Sequence, residues 1–351
     1  MKTDAIAGCL LGTAVGDAMG LPYEGLSPRR LRKFAPRIDR HRFLFNKGMV
    51  SDDTEQTCMV AQAILVAGGD GEKFAIALAW RLRFWLLGLP AGIGKGTLQA
   101  CLKLWLGFPY DDSGVFSAGN GAAMRCAILG VCYGENLSKL RAFVRRCTRL
   151  THSDPKAEWG ALAVAIAAYL ASTQSEIQPE QYLTTLSASL EPEAKEFLDL
   201  IESATQSASQ NETGEIFAMN LGARRGISGY VYRTVPTAIQ VWLRHQRDFG
   251  GGISEIVQLG GDTDTTAAIL GGIIGASAGK QGIPQQWLDN LWEFPRTVEW
   301  MEKLGQRLAE AIALRSAKPA LHLPLPGLVL RNLLFLMVVL LHGFRRLFPP
   351  Y

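Results

Sequence analysis

The sequence predicts an all-α protein, on three observations. Ala- and Leu-rich runs at residues 57–66, 73–86, 157–170, 237–243 and 265–278 lack the sustained two-residue alternation of a half-buried strand. Glycines recur at 8, 12, 16 and 20, and again at 271, 275 and 279 after Ala267, which gives two helices a ridge of small residues on one face. Polar clusters rich in Ser, Asp and Thr stand directly before two of the apolar runs, where helix caps belong.

Taken in order, the first glycine ridge predicts a helix from near residue 4 to Gly20, followed by a Pro22-Tyr23-Glu24-Gly25 turn. Small ridges let helix backbones approach closely, so the first and second ridges are expected to pack against each other in the core. Such ridges also serve membrane dimers, but Asp17 and the short apolar runs argue against spanning here. Residues 108–118 read as irregular, and Gly119-Asn120-Gly121 as a turn ahead of a helical run beginning near Ala122. The stretch 172–213, rich in Ser, Thr, Gln and Glu, reads as an excursion between helices containing one helical run at 194–201.

With 351 residues and 48% hydrophobic residues, the chain can bury one large core, and no linker divides it. Six cysteines, at 9, 58, 101, 126, 132 and 147, lack Cys-x-x-Cys spacing and read as core thiols in a reducing compartment. Met1-Lys2-Thr3-Asp4 leads straight into the first helix, so no signal peptide is expected. A cytoplasmic protein follows.

Net charge is +4, and the distribution matters more than the sum. Residues 311–351 hold five basic residues and no acidic one, leaving the remaining body close to neutral. Residues 26–47 carry Arg29, Arg30, Arg32, Lys33, Arg37, Arg40, Arg42 and Lys47 against Asp39 alone. This run reads either as a solvated face or as a docking surface for an acidic partner or lipid headgroups. Its aromatics, Phe34, Phe43 and Phe45, do not alternate regularly with the basic residues as a stacking platform would, which argues against nucleic acid.

The chemistry lies in two acidic clusters, Ser51-Asp52-Asp53-Thr54 and Gly260-Gly261-Asp262-Thr263-Asp264-Thr265. Either could be a helix cap, and Asp52 with Glu55 even has capping-box spacing. A cap needs one carboxylate, however, whereas each cluster places two within a few ångströms at a Coulomb cost that a cation would relieve. Oxygen-only ligands without His or Cys suit Mg²⁺ or Mn²⁺ rather than Zn²⁺.

Five motifs in this order resemble the ADP-ribosylglycohydrolase family: Gly8 to Gly20 with Glu24, Ser51-Asp52-Asp53-Thr54, Gly119-Asn120-Gly121-Ala122-Ala123-Met124-Arg125, Thr151-His152-Ser153, and Gly260 to Thr265. The resemblance covers roughly residues 4 to 310. It implies a compact orthogonal helical catalytic domain over residues 1–315, with residues 316–351 as an appended tail. It further implies two Mg²⁺ or Mn²⁺ ions held by Ser51, Asp52, Asp53, Asp262, Asp264 and Thr265. ADP-ribose would engage Ser117, Gly119, Asn120, Gly121 and His152. Glu24 is implied at the mouth as a gate or ligand. Some family members have an aromatic residue where this chain has Ala118, which makes Tyr230 the candidate for adenine stacking.

Cleavage of a ribosyl C1″ bond needs an oriented ribose, a positioned water and help for the leaving group. Asp264 or Asp53 is the expected proton acceptor, with Glu24 beside them. The expected activity is hydrolysis of ADP-ribosylated protein side chains, arginine favoured, or of small ADP-ribose derivatives. A non-catalytic ADP-ribose-binding or structural relative is the second class, and another two-metal nucleotide-derivative hydrolase the third. A monomer is expected.

The tail is the last informative segment. Residues 333–341 are nine consecutive apolar residues, short of the roughly 20 needed to span a bilayer. On a helix, Arg331, Asn332, His342, Arg345 and Arg346 fall within an arc of about 140°, the pattern of a helix lying in an anionic membrane surface. A terminal helix packed on the body fits the same residues. The first reading places the protein peripherally on the inner membrane face.

Overall fold

Backbone contact between the two glycine-ridged helices organises the molecule. In the computed structural model, which describes residues 2–346 and 348, helix Lys2–Gly20 runs antiparallel to helix Thr263–Ala278. A Cβ at Gly8, Gly12 or Gly16 would lie 2.1 Å from the carbonyl oxygen of Gly275, Gly271 or Ala267 respectively. Only hydrogen fits at those positions. The pair forms the buried spine of the core, and the expectation of two packed ridges is met. Its last contact, Gly20 against Thr263, fixes where the Asp262–Thr265 cluster sits relative to the end of the first helix.

The described residues contain seventeen α-helices and five short 3₁₀ turns, with isolated bridges in place of named strands. The predicted runs lie inside helices Asp52–Ala67, Gly71–Leu87, Pro155–Thr173, Val231–Arg244 and Thr263–Ala278. All six cysteines are free and buried, as expected of core thiols.

Two local expectations are corrected. Residues 172–213 include two helices, Pro179–Ser187 and Lys195–Ser209, because Tyr182, Leu186, Phe197 and Ile201 supply buried anchors at helical spacing among the polar residues. After Gly121 the chain makes only a 3₁₀ turn, Ala123–Arg125, and the α-helix begins at Ala127.

The tail forms helix Leu325–Arg345 and docks on the body through its polar arc. Arg331 donates from Nε and Nη2 to the two Glu293 carboxylate oxygens at 2.8 Å each, lies 3.6 Å from Glu55, and donates to the Val50 carbonyl. Asn332 donates to Gly88 O at 2.7 Å, while Phe335 and Val338 fill a small apolar cluster with Leu21, Phe43 and Met49. The opposite face leaves Leu330, Leu333, Met337, Leu340 and Phe344 exposed. The tail is therefore both packed and apolar outward. The arc expected to face water is partly buried because its charges find partners on the body. Met1, Leu347 and residues 349–351 lie outside the described residues.

Candidate active site

The site begins with a cap supplied from outside its own helix. Asp17, fully buried on the glycine-ridged helix, accepts from the Ser51 amide at 2.9 and 3.0 Å, the Thr54 amide at 3.2 Å and the Thr54 hydroxyl at 2.6 Å. Ser51 caps the same helix locally by accepting from Asp53 N, and its hydroxyl donates to Asp53 Oδ2 at 2.9 Å. With the first-turn amides served in this way, Asp52 and Asp53 are released from capping. Glu55 makes no capping box: it pairs with Arg296 at 2.6 Å and accepts from Trp85 Nε1 at 2.6 Å.

The second cluster is built on a turn that glycine permits. Gly260 and Gly261 adopt φ of 69° and 85°. Gly261 N donates to Leu26 O, Gly25 N to Gly261 O, and Asp262 N to Ile227 O. These bonds tie the turn to the Glu24 loop on one side and to residues 226–229 on the other. Asp262 holds the N-cap position of helix Thr263–Ala278, yet its side chain makes no cap bond. Instead Asp262 Oδ2 accepts from Asn120 Nδ2 at 2.6 Å.

The two clusters meet. Thr265 donates to Asp53 Oδ2 at 3.2 Å, and carboxylate oxygens of Glu24, Asp262 and Asp264 all lie within 4.8 Å of one another. Burial raises the Asp52, Asp53 and Asp264 carboxyls well above the usual range, and mutual repulsion raises them further: Asp17 acts most strongly on Asp52 and Asp53, and Asp262 on Asp264. Asp53 Oδ1 and Asp264 Oδ1 are buried with no hydrogen-bond partner. Two orphaned acceptors within a group of crowded carboxylates fit bound hard cations.

These residues border a cavity of about 640 Å³ whose walls include Glu24, Asp52, Asp262, Asp264 and Thr265. Ser117, Gly119, Asn120, Gly121 and His152 line it as well. Ser51 and Asp53 are buried and are not among the lining residues. A Cβ at Gly119 or Gly121 would stand 3.2 or 3.0 Å from the His152 ring, so glycine is what lets the imidazole reach the cavity.

Asn120 is more a positioning group than a free substrate donor, since its amide also donates to Thr234 Oγ1 at 3.1 Å. Tyr230 is not brought into the lining. Its hydroxyl lies 3.2 Å from Lys156 Nζ and its ring 5.4 Å from Tyr232, just outside the wall formed by Gly229.

Sequence reasoning missed several groups. Arg125, fully buried, donates to Gln56 Oε1, to Cys147 O at 2.8 Å and to Thr151 Oγ1 at 2.6 Å. Gln56 in turn holds Asp52 Oδ2 at 3.0 Å, and Thr151 Oγ1 sits 2.8 Å from His152 Nδ1. Arg125 thus orients one carboxylate and one imidazole together. The Thr151 hydroxyl, which accepts from Arg125, anchors the ring at Nδ1 and leaves Nε2 towards the cavity glycines, 3.2 Å from a Cβ placed at Gly119. Burial, aided by Arg125, depresses His152 to about 3, so the ring is neutral. Lys95 and Thr97 also line the cavity, in the first turn of helix Lys95–Trp105, where the signal was the alternation Gly92, Gly94, Gly96. Asp17 had its signal too, as the lone acid inside a glycine ridge.

An all-helical domain whose central cavity joins two carboxylate clusters to a glycine-lined pocket defines a hydrolase suited to a hydroxylated, anionic substrate. Residues 1–318 match the model of the ADP-ribosylglycohydrolase family, and the chain belongs to that family. It is accordingly a hydrolase acting on glycosyl bonds, of a family that acts on ADP-ribosylated substrates. A protein of unassigned function from Archaeoglobus fulgidus is 33% identical over 310 residues, spanning 86% of this chain and 95% of that one. Mouse ADP-ribosylhydrolase ARH3 is 25% identical, over 83% of this chain and 88% of the relative. The ADP-ribosyl-[dinitrogen reductase] glycohydrolase of Rhodospirillum rubrum is 24% identical, over 82% and 90%. A solved ADP-ribosylglycohydrolase-related protein complex superposes with a TM-score of 0.58 at 27% identity, covering 89% of this chain and 99% of the other.

Proposed function

We propose that this protein hydrolyses the ribosyl C1″ bond of ADP-ribosylated protein side chains, arginine favoured, or of small ADP-ribose derivatives, with two Mg²⁺ or Mn²⁺ ions bound. The observation that carries this is the convergence of Glu24, Asp262 and Asp264 beside the orphaned Asp53 and Asp264 oxygens. Ser51, Asp52, Asp53, Asp262, Asp264 and Thr265 would hold the ions. Bound there, the ions would polarise ribose hydroxyls and acidify water.

The chain's own groups do the rest. Lys95 and the neutral His152 ring meet the diphosphate and ribose, and glycines at 92–96 and 119–121 let the substrate approach the backbone. Asp264, on the cavity wall, takes a proton from the attacking water, while Asp53, outside the lining, is kept for the ions. The exposed Glu24 gives the mouth a negative rim that suits a guanidinium-bearing substrate. We assign catalysis to residues 1–315 and, to the exposed apolar face of the tail, peripheral association with an anionic membrane surface by a cytoplasmic monomer.

Defined peptides carrying ADP-ribose on Arg or Ser, assayed with and without EDTA, test the reading. Release from the Arg peptide should require added Mg²⁺ or Mn²⁺ and fall at least about a hundredfold in Asp264→Asn. Full activity in chelator, with no metal bound, overturns the metal-dependent reading. A preference for the Ser peptide overturns the arginine assignment.

A further inference from the structure

A groove of about 430 Å³ lies between the tail helix and the segment before Asn46, on the side of the Glu24 loop. Its walls combine apolar Phe34, Phe43, Leu44, Val338 and Leu341 with the cations Arg42 and Arg345 and with His342, which burial holds towards its neutral form. Arg42 Nε is buried without a hydrogen-bond partner, although Arg42 Nη2 lies 3.5 Å from Asp39. A buried, unpaired guanidinium nitrogen calls for an acceptor. At the groove's lip, Phe45 is 80% exposed in a left-handed conformation with φ 57°, followed by Asn46 at φ 56°. Holding a phenylalanine out into water on strained backbone is unfavourable unless something apolar receives it.

We propose that this groove binds one anionic phospholipid, its acyl chain on the Phe43–Leu341 wall and its phosphate between Arg42 and Arg345. The proposal deepens the membrane association above and rests on it. Charge and shape favour this occupant over others. A free phosphate would satisfy the arginines and leave the apolar wall bare. A second copy related by a twofold axis would set the same basic rim against itself. A lipid supplies both halves, and the exposed row Leu330, Leu333, Met337, Leu340 and Phe344 continues the apolar contact along the same helix.

The groove also adjoins the active-site mouth. Pro22 and Tyr23 line it, His342 Nε2 lies 2.8 Å from Pro22 O, and both Arg346 Nη atoms donate to Glu24 O at 3.0 Å. A lipid seated here holds the Glu24 loop close to the membrane surface.

Co-sedimentation of the full chain with vesicles decides the matter, and because it reads binding alone, failure of the hydrolase reading would leave it intact. Wild type should bind phosphatidylcholine vesicles containing phosphatidylglycerol, and salt should weaken binding. Arg42→Gln with Arg345→Gln should bind them at least about tenfold more weakly at unchanged melting temperature. Leu341→Asp should lose binding too, and inorganic phosphate should fail to displace the protein. No wild-type binding overturns both the surface association and the groove. Binding that both variants retain overturns the groove alone. Displacement by phosphate, or a lipid-independent dimer that Leu341→Asp dissolves, overturns the lipid as occupant.

Discussion

Gly20→Ala should inactivate the enzyme far more than it destabilises it. Gly20 has φ −78° and ψ −40°, so alanine fits the local backbone and would gain up to about 1 kcal/mol in helix propensity. The obstacle is across the interface. The new Cβ would lie 2.2 Å from Thr263 O and 2.7 Å from Asp264 Cα, both backbone atoms, against roughly 3.4 Å for ordinary contact. The start of helix Thr263–Ala278 must therefore retreat by about 1 Å, carrying Asp262 and Asp264 away from Asp52 and Asp53. Overpacking of this kind costs about 1–3 kcal/mol, partly offset by propensity, so melting should fall by only a few degrees. A 1 Å misplacement of the carboxylates should cost about a hundredfold in kcat.

Gly8→Ala is the matched control. Its Cβ meets Gly275 O at 2.1 Å, an equal clash at the far end of the same spine. It should lower melting comparably while retaining most activity. Steady-state release of ADP-ribose beside thermal melting reads both quantities. Equal activity losses in the two variants, or near wild-type activity in Gly20→Ala, would refute the claim that this close approach registers the two clusters.

Arg331→Met should destabilise by about 3–5 kcal/mol, because it leaves buried Glu293 and part of Glu55 unpaired; a melting temperature equal to wild type would mean that the tail docks without this ion pair. His152 prefers its neutral form in the fold, at about 3 against 6.5 unfolded, so its contribution to stability is present above pH 6.5 and is lost as pH falls towards 3. In imidazole-nitrogen NMR the ring should stay neutral down to about pH 4.5; a titration near 6.5 would remove the buried Thr151–Arg125 environment from the account.

Some of this was legible locally. Apolar runs at helical spacing marked the long helices, because an amphipathic or buried helix declares itself within a few turns. The paired carboxylates of Asp52 with Asp53 and Asp262 with Asp264 announced crowding from spacing alone. Two glycine ridges even announced each other, since a row of missing side chains is useful only against another close backbone. The polar composition of 172–213 misled, because four buried anchors outweigh many exposed serines and threonines.

The order of residues alone specifies the chemistry available: oxygen ligands, small-residue ridges, a neutralisable histidine, and a tail with one basic arc. Which of these groups meet is set by the packing of the folded chain. Asp17 became the cap that releases Asp52 and Asp53, Arg125 the link between Asp52 and His152, and Asn120 the holder of Asp262, through bonds that span 26 to 142 residues of the chain. The tail's basic arc turned inward because Glu293 and Glu55 wait there as buried counter-ions, which left its apolar face outward. Periodicity and capping act within a helical turn and can be read from neighbours in sequence. Charge pairing in a low-dielectric interior depends on which distant segments pack together, and that follows from the whole core at once.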